Sequence, residues 1–440
     1  MRRYLLMLLG CLAAPFGSAS SAEHWVVDVD HWGSPEYQSL LLERRGDALS
    51  GTLGGDPLHG RGDGADLAFE ATDARGATYR YRVRMDGDAL SGQADFPDPN
   101  DPARRARHDV AGRRVPARGA AVPQRHEYVP TDYANAFDPH RAPVLTIWPG
   151  DTVRTRTLDS GGVDAGGATR ALFGNPQTGP FFVVGAEPGD TLAVKIERLR
   201  PNRAYADSLD AIVGRALAQP LVAEAASLGR PRRWTLDLAR GVARPDAGGG
   251  RLEGLEIPLR PMLGGLGVAP GFGFPPISSG DSGRFGGNMD FNEVVEGNIV
   301  YLPVFQPGAL LYLGDAHAAQ GDGETTQYAL ETSMDVEFGV EVLKGAQIGM
   351  PRIESPTHLM ALGQAGSLDD ALKAATAGLV QWLRQDYGLD LSEAAQLLGA
   401  GAEYRVATLA GRNAGMVAKL PKSMLAGLPR TPPPPTHDAR

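Results

Sequence analysis

The spacing of apolar and polar positions changes character along the chain. Between residues 23 and about 118 it is short-period. Tyr79, Tyr81, Val83 and Met85 recur every second position, the period of a strand with one buried face. Apolar runs at residues 38–42 and 67–71 have strand length. The phrase Gly-Asp-Ala-Leu-Ser-Gly occurs twice, starting at Gly46 and Gly87, each time as a strand–turn–strand unit. This predicts a small antiparallel β domain over residues 23–120, a meander of hairpins. It groups no catalytic side chains and reads as an accessory or partner-binding barrel. Prolines and charges over residues 98–123 mark a linker.

From residue 124 a larger domain is expected, running to 425. Two strand patterns, residues 142–148 and 152–158, flank Pro149-Gly150-Asp151. The same turn returns as Pro188-Gly189-Asp190 before residues 191–197. A Pro-Gly pair suits a type II turn. Residues 299–305 and 309–313 are strongly apolar. Residues 332–344 alternate, with Asp335, Glu337 and Glu341 on the wet face. The Ala- and Leu-rich residues 207–228 read as helical, and the Gly- and Pro-dominated residues 264–290 as a long ordered loop. Leu368, Leu372, Ala375, Leu379 and Leu383 share one helical face behind Ser367, a candidate cap. A shorter helix is expected at residues 391–398. Residues 426–440 form a Pro-rich tail.

Composition adds compartment and exclusions. Gly (57) and Pro (34) make up about a fifth of the 440 residues, which suits a turn-rich β protein. Residues 1–22 read as a signal peptide: Arg2 and Arg3, an apolar run, then Ser20-Ser21-Ala22 as a cleavage site. The chain is thus expected in the periplasm or secreted, cut after Ala22. Leu8-Leu-Gly-Cys11 as a lipoprotein box would leave a very short apolar region and is the weaker reading. Cys11 is the single cysteine, so disulfides, a cysteine nucleophile and thiolate metal ligands are excluded from the mature chain. Without Arg2 and Arg3 the net charge moves from −9 to −11, which disfavours nucleic-acid binding. The leader's apolar run is too short to span a membrane.

Three polar clusters interrupt the apolar pattern. The first is Thr157-Leu-Asp159 with Asn175-Pro-Gln-Thr-Gly-Pro180. The second is Gly286-Gly-Asn-Met-Asp290. The third, Gly314-Asp-Ala-His-Ala-Ala-Gln-Gly-Asp-Gly-Glu324, sets His317 between carboxylates. In an extended segment Asp315 and His317 point the same way. That suits a shared divalent ion such as Zn²⁺ or an acid–base pair, with Glu324 as general base. One histidine among Asp, Gly and Gln is equally the composition of a surface loop. The oxygen-ligand spacing of an EF-hand, a Walker-type phosphate loop and a Gly-x-Ser-x-Gly elbow are all absent.

Taken in order, these clusters with Gly185–Asp190, Tyr301-Leu-Pro-Val-Phe305, Gly308-Ala-Leu and Val417-Ala-Lys-Leu-Pro-Lys422 resemble the acetamidase/formamidase family over residues 124–425. The resemblance implies a mainly β fold with a smaller α+β portion, a β-sandwich-like core preceded here by the small antiparallel domain. It implies a metal-dependent hydrolase of linear amides that releases ammonia and a carboxylate. Carried over motif by motif, the expected metal ligands are Asp159, Asp290, Asp315 and His317, for zinc before calcium. Glu324, Asn288 and Asp322 are the expected catalytic residues, Glu324 moving protons and Asn288 steadying an oxyanion. The expected partner is a small amide, and the expected assembly a homo-oligomer, a dimer. A leader and an extra β domain are not expected of a cytosolic enzyme that harvests nitrogen from formamide, so a larger amide met outside the cytoplasm enters as substrate. The rival reading is a periplasmic β protein that binds a small molecule or carbohydrate without turnover.

Overall fold

The computed structural model describes residues 22–246 and 250–431. The expected leader, through residue 21, and the end of the Pro-rich tail, residues 432–440, lie outside the described residues. The chain divides into two compact units between Val115 and Pro116.

The first unit is a closed barrel of eight strands, each antiparallel to the next. Its first strand, Glu23–Asp30, pairs with both Pro35–Arg45 and Asp101–Arg114, which closes the sheet and removes its edges. Alternation decides what faces inward. Trp25, Val27 and Val29, Leu40 and Leu42, Tyr81 and Val83, and Ala94 and Phe96 are all buried in one core. The repeated phrase places Gly46-Asp47 and Gly87-Asp88 in the tight turns after Arg45 and Asp86.

The second unit carries a nine-stranded and an eleven-stranded sheet. Their apolar faces meet: the buried rings of Phe181 and Phe338, one from each sheet, lie edge to face with centroids 5.2 Å apart. Both Pro-Gly-Asp turns are pinned by their aspartate. Asp151 accepts the backbone N–H of Trp148, and Asp190 that of Glu187. Asp335 and Glu337 are half-buried and Glu341 is exposed along the strand Met334–Leu343, whose other face is core.

Two helices pack on the nine-stranded sheet. Leu368–Tyr387 buries Ala371, Ala375, Leu379, Trp382 and Leu383 against the strands His358–Ala365 and Ala414–Pro421. Ser367 caps it by accepting from Asp370 N. Leu391–Gly401 is opened by Asp390 and Glu393 in a reciprocal capping box. Among the described residues no helix is long and apolar enough to cross a membrane.

Two expectations are corrected. Residues 207–228 are not one helix: Tyr205–Ile212 is a strand, and only Gln219–Ala225 is α-helical. Pairing with Thr326–Glu331 and Pro231–Asp237 overrides the helical preference of Ala and Leu. Nor is the glycine-rich stretch 264–290 one long loop. Met262–Val268 is a fully buried strand, and Gly286–Asn288 pairs beside it.

Helix and sheet approach most closely at Gly363. A Cβ there would lie 1.9 Å from the carbonyl oxygen of Ala371. Gly363→Ala is expected to destabilise the second unit by about 1–3 kcal/mol through overpacking, read as a lower urea midpoint at unchanged m-value.

Candidate active site

The site grows from one strand, Leu311–His317, buried along its whole length. Its neighbours set the geometry. Met262–Val268 pairs with it in a register that puts Met262 opposite His317 and Gly265 opposite Gly314. On the far side of Met262–Val268, Gly265 faces Asn288. Across from His317 on the other edge stands Glu331. A Cβ at Gly264 would come within 2.4 Å of Asp290 Oδ1 and 2.6 Å of Asp315 Oδ2. Only glycine lets this strand run so close to two carboxylates.

Four carboxylates surround one imidazole. Asp290, Asp315, Glu324 and Glu331 are each no more than 6% exposed, and His317 is 0% exposed. His317 Nε2 stands 3.1 Å from Glu331 Oε2 and 3.5 Å from Asp315 Oδ1. Its Nδ1 meets Gln320 Oε1 at 2.8 Å, and Gln320 Nε2 donates to the Asp290 carbonyl at 2.6 Å. With the amide oriented that way, Nδ1 carries the proton given to Gln320 and Nε2 faces the carboxylates. Asn175 Nδ2 donates to Asp315 Oδ2 (3.1 Å) and Asn288 Oδ1 (3.0 Å), and Asn288 Nδ2 donates to Asp290 Oδ2 (2.6 Å). The outer oxygens are thus held in place. The inner atoms, Asp290 Oδ1, Asp315 Oδ1, Glu331 Oε2 and His317 Nε2, are buried without hydrogen-bond partners.

Charge follows from that burial. Desolvation, then the Asp315 carboxylate, pushes Asp290 up to about 8. Glu324 is raised well above the usual range by burial and by Asp290, and Glu331 is raised by burial. For His317 burial pulls downward, but Glu331 and Asp315 outweigh it and hold the imidazolium well above its ordinary range. The backbone is also unusual. Asn175, Asp290, Asp315 and Glu324 all have positive φ, between 40° and 58°, and are four of the seven non-glycine residues in that region among the described residues. Such conformations cost about 1–3 kcal/mol each and gather at functional sites.

Two sets of three groups have ligand atoms mutually within 4.8 Å: Asp290, His317 and Glu324, and Asp315, His317 and Glu331. The orphaned buried atoms and the nitrogen–oxygen donor set suit a divalent cation. Two sequence-predicted residues stand elsewhere. Asp159 belongs to neither set. Its Oδ2 is 2.7 Å from an Arg203 nitrogen and its Oδ1 accepts from Val163 N, while Arg203 also donates to the Glu331 carbonyl. It braces the site through a buried ion pair. Asp322 is part-exposed and bound by Arg405 and Asn292. It fastens the loop that carries Glu324 and lies outside both sets. The Asn288 amide donates one hydrogen to Asp290, so it orients a carboxylate. Glu331 was missed. Its only trace in the sequence is a carboxylate that follows the short apolar run Tyr328-Ala-Leu330, and its meeting with His317 is a matter of register.

An open cavity of about 900 Å³ lies beside the cluster, bounded by Gln320 and Glu324 and walled by Trp234, Tyr328, Arg260 and Leu252. Glu324 is the one member of the carboxylate set that lines it.

The model of the Acetamidase/Formamidase family matches residues 280–377, which contain Asn288, Asp290, Asp315, His317, Glu324 and Glu331. A putative formamidase of Schizosaccharomyces pombe is 39% identical over 75 residues, 17% of this chain; the match spans only 18% of that relative's length. Solved structures align far more widely. An acetamidase from Yersinia enterocolitica is 30% identical with a TM-score of 0.59, over 70% of this chain and 94% of that one. An acetamidase from Bacillus halodurans is 28% identical with a TM-score of 0.57, over 69% of this chain and 99% of that one. With the ordered motifs and the fold in agreement, the chain belongs to the acetamidase/formamidase family.

Proposed function

We propose that the chain is a metal-dependent amidohydrolase that cleaves the C–N bond of a linear amide to ammonia and a carboxylate. The observation that carries this reading is the set of inner atoms at His317, Asp290, Asp315 and Glu331, buried and without partners. His317, Asp315, Glu331 and Asp290 would hold a divalent ion, zinc before calcium. Bound there, such an ion supplies Lewis acidity for the amide carbonyl and makes hydroxide available near neutral pH.

The chain's own groups do the rest. Gln320 fixes the His317 tautomer, and Asn175 and Asn288 fix the two aspartates. Glu324 faces the cavity, and its burial beside Asp290 favours its protonated form. It gives that proton to the departing nitrogen, a step the reaction needs because an amide anion is a very poor leaving group. The buried strands keep bulk water from the carboxylates, so each charge acts in a low-dielectric setting. An activity outside the cytoplasm, supported by the leader-like residues 1–22, and a dimer as assembly are part of this proposal.

Removing the shared ligand is the direct test. His317→Ala should lower bound zinc, measured by elemental analysis, from about one ion per chain to a small fraction. It should lower ammonia release from acetamide or a larger amide by about a thousandfold or more. Unchanged metal content and turnover would remove His317 from the site.

Gly264→Ala tests the close approach. The new methyl must displace Asp290 or Asp315, so kcat/KM should fall about 10–100-fold while circular dichroism keeps its β signature.

Protonation gives a third check. Asp290 is raised to about 8, so below that pH the metal-free site holds a proton that an ion must displace. Affinity for zinc, measured by chelator competition, should rise at least about tenfold per unit from pH 6 to 8, because the His317 imidazolium must also give up its Nε2 proton to an ion. A flat profile would separate metal binding from these carboxylates.

A further inference from the structure

The barrel has its own unexplained feature, at the end where the turns after Asp30, Leu53, Thr72 and Asp98 gather. Inward-facing positions follow the alternation along each strand. Through most of the barrel they are apolar, but at this end they change. On Pro35–Arg45 the inward series Leu42, Leu40 continues as Gln38 and Glu36. On Asp56–Asp63 it ends at Asp56, and on Thr78–Asp86 at Tyr81 and Tyr79. These side chains line an open cavity of about 250 Å³.

Its walls are aromatic. Tyr79 and Phe96 meet edge to face with centroids 4.8 Å apart, and Tyr81 and Phe96 at 5.9 Å. Its polar lining combines acceptors lacking donors with one cation, Arg75, whose side chain is exposed and stands 3.7 Å from Asp73. Gln38 Oε1 is buried with no hydrogen-bond partner. Tyr81 is 2% exposed, lines the cavity, and its hydroxyl has no hydrogen bond to another described residue. Asp56 has no ion-pair partner within 4.0 Å among the described residues. By contrast Glu36 is held 3.1 Å from His31, and Asp73 accepts from Arg75 N, Ala77 N and Tyr79.

We propose that this end of the barrel binds a small primary organic ammonium ion. The rings of Tyr79, Tyr81 and Phe96 take its positive charge, as aromatic cages do. Gln38, Asp56 and the Tyr81 hydroxyl take its N–H groups. The volume admits an amine with a short carbon chain. The binding is independent of amide hydrolysis.

Calorimetry on the full chain with butylammonium chloride tests this, with 1-butanol and tetramethylammonium as companions. Butylammonium should bind saturably, at least tenfold more tightly than either. Asp56→Asn should weaken it at least tenfold while ammonia release stays unchanged. Gln38→Leu should weaken it in the same direction, so the idea stays testable if one variant folds poorly, and thermal melts report folding in each. His317→Ala should leave butylammonium binding intact, which separates this site from the amidase reading. The proposal is overturned by no saturable heat, by equal binding of 1-butanol, or by Asp56→Asn and Gln38→Leu proteins that fold and bind as the parent does. Equal binding of tetramethylammonium would overturn the hydrogen-bonding assignment.

Discussion

Like charge crowded into a dry interior is the constraint on which the larger unit depends. Four carboxylates around His317 cannot all be ionised there without a compensating cation, because desolvation and mutual repulsion both oppose it. The fold leaves two outcomes. Without a cation the carboxylates keep protons, which is why Asp290, Glu324 and Glu331 are all raised. With one, the carboxylates that hold it would give up their protons and the inner atoms of the cluster would gain a partner. The surrounding hydrogen bonds work in both states, since Asn175, Asn288 and Gln320 hold the outer atoms and leave the inner ones free.

The backbone carries a cost for this. Four residues of the site with positive φ, at about 1–3 kcal/mol each, sum to an amount comparable with the whole stability of a typical domain, about 5–15 kcal/mol. Such a site persists only inside a scaffold that over-determines it. Here the scaffold is the buried strand Leu311–His317, paired with Met262–Val268 and backed by the nine-stranded sheet. A tightly bound ion at a thousand times its Kd would return about 4 kcal/mol to the folded state. Binding and folding of the larger unit would then be linked.

Much of the fold was legible because its period was legible. Alternation in residues 78–86 and 334–343 gave the strands and their wet faces, and the 3.6-residue spacing of residues 368–383 gave the long helix. Two stretches were misread for opposite physical reasons. Ala and Leu over residues 207–228 favour helix locally, but the sheet offered a neighbour on each side of Tyr205–Ile212. Glycines over residues 264–268 look like loop, but there they mark a strand pressed against Asp290, Asp315 and Gln177, where a side chain has no room. Composition cannot tell a glycine that loosens a chain from one that lets two chains touch.

The same distinction sorts the candidate site. His317, Asp290, Asp315 and Glu324 come together because their motifs sit on adjoining strands and turns of one sheet. Asp159 and Asp322 share their residue type and their glycine-rich surroundings, yet each is claimed by a guanidinium, Arg203 or Arg405. A carboxylate is free to bind a metal or move a proton only where no fixed cation has already neutralised it. The arginines that decide this lie 44 and 83 residues away along the chain, so no local motif could reveal them. Glu331 shows the converse. Nothing near it in sequence marks it, but strand register sets it opposite His317 with one oxygen unpaired. The functional assignment of each acid therefore rests on its neighbours across the sheet, and the motif supplies only the roster from which the fold selects.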